Sequence, residues 1–109
     1  MSYSLAPGDI IYLDLSPTVG HEQRGKRPCI VLSERILYSS MICVAPITTK
    51  RKVFPFHVDL PDSLKIEGQI LMEHHRMVDV KSRGYQLVEK APVSVLDACR
   101  ELMRVLYNL

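Results

Sequence analysis

A chain of 109 residues, 47% of them apolar and 24% charged, is long enough to build one hydrophobic core without disulfides or a metal, and its ordinary composition excludes intrinsic disorder. No apolar run approaches the roughly 20 residues that cross a bilayer. The opening MSYSLAPGD has neither the basic nor the apolar region of a signal peptide, so the expected location is the cytoplasm. The formal net charge of +2 is too small to demand a polyanionic partner, and the three cysteines, Cys29, Cys43 and Cys99, are widely spaced among apolar neighbours and predict buried thiols.

In chain order, an apolar run over 9–15 predicts a first strand, and a second is predicted over 28–33. Between them lies a polar loop containing Thr, Gly, His, Glu, Gln, Arg and Lys. Hairpin connections usually take roughly two to five residues, so this loop is longer than turning the chain requires, and loops of that kind tend to carry function. Further strands are predicted over 41–47, 54–60, 69–74 and 85–89, with a short one, or the end of a bent one, at 78–80. Phe56, Val58 and Leu60 alternate with His57 and Asp59, which predicts one buried and one wet face. Lys50, Arg51 and Lys52 would then form the tip of a hairpin before that strand.

After Pro92 the apolar period changes to that of a helix, with Val95, Cys99, Leu102 and Leu106 on one stripe and Leu96 and Met103 beside it. Ser94, followed three positions later by Asp97, predicts an N-cap with a partial capping box. The expected fold is α+β, one domain over 1–109, a small and strongly curved β-barrel closed by a C-terminal helix.

Basic residues cluster at Arg24, Lys26 and Arg27, at Lys50, Arg51 and Lys52, and at Arg76, Lys81 and Arg83. Brought together, they make a positive face for a phosphate backbone or an acidic peptide; taken singly, they are ordinary solvated turns. Arg27 stands where the long loop meets the second strand, with Pro28 biasing its backbone toward the extended region. A guanidinium fixed there can hold a phosphate bidentately and stabilise charge on a pentacoordinate phosphorus, against the simpler alternative of an ion pair. Thr48 and Thr49 end the third strand, with hydroxyls that can donate to a phosphate oxygen or satisfy the strand end. His21 and Glu22 suit proton transfer or positioning, or the tying down of their own loop.

Glu73, His74, His75 and Arg76 suggest a metal site at first sight. On a strand, neighbouring side chains point to opposite faces, and no third ligand stands at a familiar spacing, so no metal is expected. The chain has no phosphate-cradling Gly-rich loop, no GxSxG elbow and no convincing Cys nucleophile, which argues against NTPase, serine hydrolase and thiol chemistry.

The run GDIIYLDLSPTVGHEQRGKRP from Gly8 to Pro28 resembles the N-terminal signature of the MazF/PemK toxin endoribonucleases. Three later features agree in order: APITT ending at Thr49, the G-x-I-L-x-E segment from Gly68 to Glu73, and R-x-V-D from Arg76 to Asp79. The resemblance implies an SH3-like barrel that forms a homodimer and cleaves single-stranded RNA, mRNA in particular, without metal or other cofactor. It implies 2′,3′-cyclic phosphate and 5′-hydroxyl ends, and inhibition by a cognate acidic antitoxin lying in the RNA groove. Carried over by position, Arg27 and Thr48 are catalytic, with His21, Glu22 and Glu73 as further catalytic or positioning candidates. Gln23, Arg24, Lys26, Thr49, Lys50, Arg51, Lys52 and Arg76 are the candidates for RNA contact.

The sequence departs from that pattern in two places. Some members of the family carry an Arg two residues before the acidic residue of the fifth strand, where this chain has Leu71 before Glu73, and His74 replaces a usual Gln. The acid role then shifts to Arg27, and the sequence leaves the general base unassigned. Two alternatives come from other classes: a gyrase poison of the CcdB type, which needs neither Arg27 nor Thr48, and a catalytically silent RNA-binding module.

Overall fold

Strands β1 (Asp9–Asp14), β2 (Lys26–Val31) and β3 (Met41–Thr48) read as nearly continuous apolar runs because both of their faces are buried. In the computed structural model, which describes residues 5–16 and 26–109, alternate residues of these strands enter two different cores. Ile10, Ile30, Cys43, Ala45 and Ile47 face one core. Ile11, Leu13, Cys29, Val31, Ile42 and Val44 face the other.

The remaining elements close these cores. After β3 come β4 (His57–Asp59), β5 (Gln69–Leu71), a 3-10 turn (Met72–His74), β6 (Arg76–Asp79), the single-turn helix α1 (Val80–Arg83), β7 (Tyr85–Lys90) and α2 (Val93–Tyr107). All pairings are antiparallel, and the order across the sheet is β4-β5-β3-β2-β1-β7, with β6 also joined to β3. Strand β3 therefore forks: Met41–Val44 pair with β6, while Ile47 and Thr48 pair with β5. Pro46 lies between the two segments. The first core is covered by β4, β5 and the apolar stripe of α2, in which Val95, Leu96 and Cys99 are buried. The second is covered by Leu5, Val78 and Val80.

This is the α+β, barrel-like arrangement expected from the sequence, with β4 and β7 at the edges of a coiled sheet. Several local expectations are corrected. The stretch 54–60 contributes only His57–Asp59 as strand, because Pro55 cannot donate and the His57 amide turns back to the Phe54 carbonyl at 3.1 Å. Strand pairing over 69–74 stops at Leu71, where the Met72 amide bonds the Phe56 carbonyl at 3.0 Å and the chain enters the 3-10 turn. Lys50–Lys52 are not a hairpin tip: β3 pairs with β5, and β4 lies beyond it, so this segment is a crossover. Pro92, not Ser94, occupies the cap position of α2, and its φ of −59° starts the helix with no side-chain cap. Leu106 remains about half exposed, so the buried stripe is shorter than its period implied.

Candidate active site

Thr48 is the last residue of β3 and directly opposes Gln69 at the start of β5. Gly68 makes that approach possible. Its φ is +127°, and a Cβ there would lie 1.9 Å from the Thr48 carbonyl oxygen. The Thr48 hydroxyl oxygen accepts the Lys50 amide at 3.2 Å, which leaves the hydroxyl hydrogen available to an outside acceptor such as a phosphate oxygen.

Arg27 approaches from β2. The β2–β3 register pairs Cys29 with Pro46, and continued toward the strand ends it sets Arg27 level with Thr48 on one face. Burial pushes the Cys29 thiol up to about 12, against the opposing pull of Arg27 and Arg76, so both guanidinium groups lie within electrostatic reach of this thiol. Arg76 Nη1 donates to the Leu15 carbonyl at 3.1 Å, and Arg83 Nη1 to those of Asp14 and Ser16 at 2.7 and 2.5 Å. These two arginines thus grip the root of the long loop, and Arg76 spends at least one donor on the chain itself.

Beside Thr48 an open cleft of about 310 Å³ is lined by Thr48, Lys50, Lys52, His57, Leu71, Glu73 and His74. Its polar wall is a connected network. Gln69 donates from Nε2 to the Lys52 carbonyl at 3.0 Å and to Asp59 at 2.8 Å, while its Oε1 accepts the Lys52 amide at 3.0 Å. That same oxygen lies 3.0 Å from His57 Nδ1, and His57 Nε2 lies 2.8 Å from Glu73 Oε2. The His57 side chain is only 5% exposed, whereas that of Glu73 is 33% exposed. Arg51 is turned outward onto Asp59 at 3.0 Å and lies outside the cleft lining.

The structure thus brings Thr48, Lys50, Lys52 and Glu73 to one cleft, with Arg27 level with Thr48 in the extended register. Lys26 and Thr49 are exposed nearby on the chain. His21, Glu22, Gln23 and Arg24 lie outside the described residues. His74 and His75 diverge: His74 faces Glu73 at 3.9 Å, while His75 bonds the Met72 carbonyl at 2.7 Å and the Tyr107 hydroxyl at 2.5 Å. Among the described residues no three His, Cys, Asp or Glu side chains form a group able to hold a metal ion. No helix among them is long and apolar enough to cross a membrane.

Sequence reasoning missed His57 and Gln69. His57 stood in the sequence as the polar half of an alternating strand, and its partner Gln69 is twelve positions away. Only the β4–β5 register, which pairs His57 with Leu71 and Asp59 with Gln69, reveals the cluster.

In sequence and fold the chain is similar to known proteins. The profile described as PemK-like, MazF-like toxin of type II toxin-antitoxin system matches residues 6–107. The chain is 36% identical over 80 residues to the endoribonuclease toxin MazF of Escherichia coli K12, covering 71% of this chain and 70% of that protein. It superposes on a crystal structure of MazF from Deinococcus radiodurans with a TM-score of 0.91 at 33% identity, over 99% of this chain and 100% of that one. A MazE-MazF crystal structure from the same organism gives 0.86 at 33% identity, over 99% of each chain. With a family profile spanning nearly the whole sequence and the same fold in its relatives, the chain belongs to the PemK-like, MazF-like toxins of type II toxin–antitoxin systems.

Proposed function

We propose that the protein is an endoribonuclease toxin that cuts single-stranded RNA, mRNA above all, in the cytoplasm and without a metal ion, leaving 2′,3′-cyclic phosphate and 5′-hydroxyl ends. The observation that carries this reading is the cleft in which Thr48, two lysines and one carboxylate meet, with Arg27 level with Thr48 in the extended register. The E. coli relative is named as an endoribonuclease toxin, which supports the same chemistry.

Thr48 donates its hydroxyl hydrogen to a non-bridging phosphate oxygen, and Arg27 stabilises the charge that builds on phosphorus. Lys50 and Lys52, both exposed in the cleft lining, hold the flanking phosphates. Glu73 is the carboxylate among the lining residues and accepts the proton of the attacking 2′-hydroxyl. As the new O–P bond forms, the bond to the 5′ oxygen breaks, and Arg27 assists protonation of that leaving oxygen. Single strands are preferred because A-form pairing keeps the 2′-oxygen from rotating into line and hides the base edges.

By the same reading the working form is a homodimer, and its partner is an acidic antitoxin that competes for the basic cleft. The MazE-MazF complex of D. radiodurans supports such pairing. The test is incubation of the protein with a long unstructured RNA in excess EDTA, beside Arg27→Ala, with the ends mapped. Discrete fragments with 5′-hydroxyl ends from the wild type are expected, with the variant slower by roughly 100-fold or more and still folded. Equal cutting by both proteins would remove Arg27 from the mechanism, and intact RNA throughout would shift the choice to the gyrase poison or the silent binder.

A further inference from the structure

His57 does more than fill the wall of the cleft. Its imidazole is 95% buried by side-chain area, yet both ring nitrogens meet polar atoms. The orientation of Gln69 is set by three contacts: its Nε2 has two acceptors, the Lys52 carbonyl and Asp59, while its Oε1 accepts the Lys52 amide. Flipping that amide would place its NH₂ against the Lys52 N–H and face its oxygen with two acceptors. Gln69 Oε1 therefore faces His57 Nδ1, which must donate. The other nitrogen, Nε2, faces a Glu73 carboxyl oxygen at 2.8 Å, so ring and carboxyl share a hydrogen bond. The ring is thus pinned at one nitrogen and holds Glu73 with the other.

We propose that His57 is the positioning residue of this site, pinned through Nδ1 by Gln69 and aiming the Glu73 carboxyl into the cleft through Nε2. This rests on the reading of the protein as a ribonuclease. The need for such a residue follows from exposure: the Glu73 side chain is 33% exposed, and a base must be held in place at the 2′-hydroxyl to act on it. His57 holds it from the buried side, while His74 lies at 3.9 Å and Lys50 and Lys52 line the same cleft. Asp59, behind Gln69, has its charge matched by Arg51 at 3.0 Å and so does not compete for His57. Leu71, register partner of His57 on β5, supplies an apolar wall and no rival donor. No bond to RNA is made at His57, and its protons stay on its own ring.

Two measurements on the dimeric protein test the assignment. The first is the ¹⁵N–¹H spectrum of the His57 ring in the free protein, at the pH of the cleavage assay. A proton on Nδ1 is expected in the wild type, with the Nε2 resonance shifted in Glu73→Gln; an unprotonated Nδ1, or an Nε2 resonance that Glu73→Gln leaves unmoved, would overturn the proposal. The second is single-turnover cleavage by His57→Ala and His57→Gln, with thermal unfolding measured alongside. A geometric misplacement of this kind lowers kcat by roughly 100-fold, with KM within about twofold of the wild type, whereas Gln, whose amide restores a donor to Glu73, recovers about tenfold of that loss. An unchanged kcat in His57→Ala, or a loss in both variants that merely follows their melting temperatures, would overturn the role of His57 and leave the ribonuclease intact. A wild type that leaves RNA whole would instead remove the ribonuclease reading, and the positioning role with it.

Discussion

At the scale of single residues, Gly68 illustrates how one absent side chain sets the geometry of the site. Its Cβ would occupy the place of the Thr48 carbonyl, and its φ of +127° is strained for any other residue. Gly68→Ala is therefore expected to push β5 off the end of β3, destabilising the protein by roughly 1–3 kcal/mol in denaturant unfolding. Cleavage should fall further than stability alone explains, because Gln69 and the His57–Glu73 pair move with β5. Wild-type stability and cleavage in that variant would show that the corner has slack. The places of Arg27 and Thr48 near strand ends were legible in the sequence, because the motifs that carry them are local. His57 was not legible, because its meaning depends on Gln69 and Glu73, twelve and sixteen positions away, and on a strand register that sequence alone does not display.

Among the elements, α1 and the fork in β3 were the least visible beforehand. Four residues are too few for an amphipathic period, and α1 exists because Asp79 caps it, accepting the amides of Lys81 and Ser82 and the hydroxyls of Ser40 and Ser82. The Ser40 hydroxyl above all, with Ser82 next, holds the Asp79 carboxyl below its ordinary value of 3.8. A carboxyl with a folded-state value below its unfolded one stabilises fully above the unfolded value, and that contribution is lost as the pH falls through the folded one. Melting of the wild type should thus become more acid-sensitive below about pH 3.8 than melting of Asp79→Ala, with the two curves running parallel above it. Parallel curves across the whole acid range would mean that the cap carries no charge-dependent share of stability. The longer strands were legible through their apolar runs, whereas β4 and β5 were overextended at Phe54–Phe56 and Met72–His74, where tertiary hydrogen bonds outrank β propensity.

For the whole molecule, the α+β class and a terminal helix packed on a curved sheet could be read from the change of apolar period at Pro92. The partition into two cores could not, because a strand buried on both faces shows no alternation to follow. That partition has a consequence for how the chain comes into being. The second core is assembled entirely from residues up to Tyr85, whereas the first lacks its cover until Val95, Leu96 and Cys99 of α2 have been made. The turn that carries Glu73 is likewise tethered through His75 to Tyr107, thirty-two positions downstream. A chain that contains every strand but stops before Val93 is still without its helical lid and without the anchor of its proposed base. If it cuts RNA as proposed, the capacity to cut arrives only when the residues through Tyr107 have folded together. Released chains truncated after Ala91 are accordingly expected to leave added RNA whole, with cutting restored in chains extended through Tyr107; cutting by the truncated chains would show that the strands alone suffice.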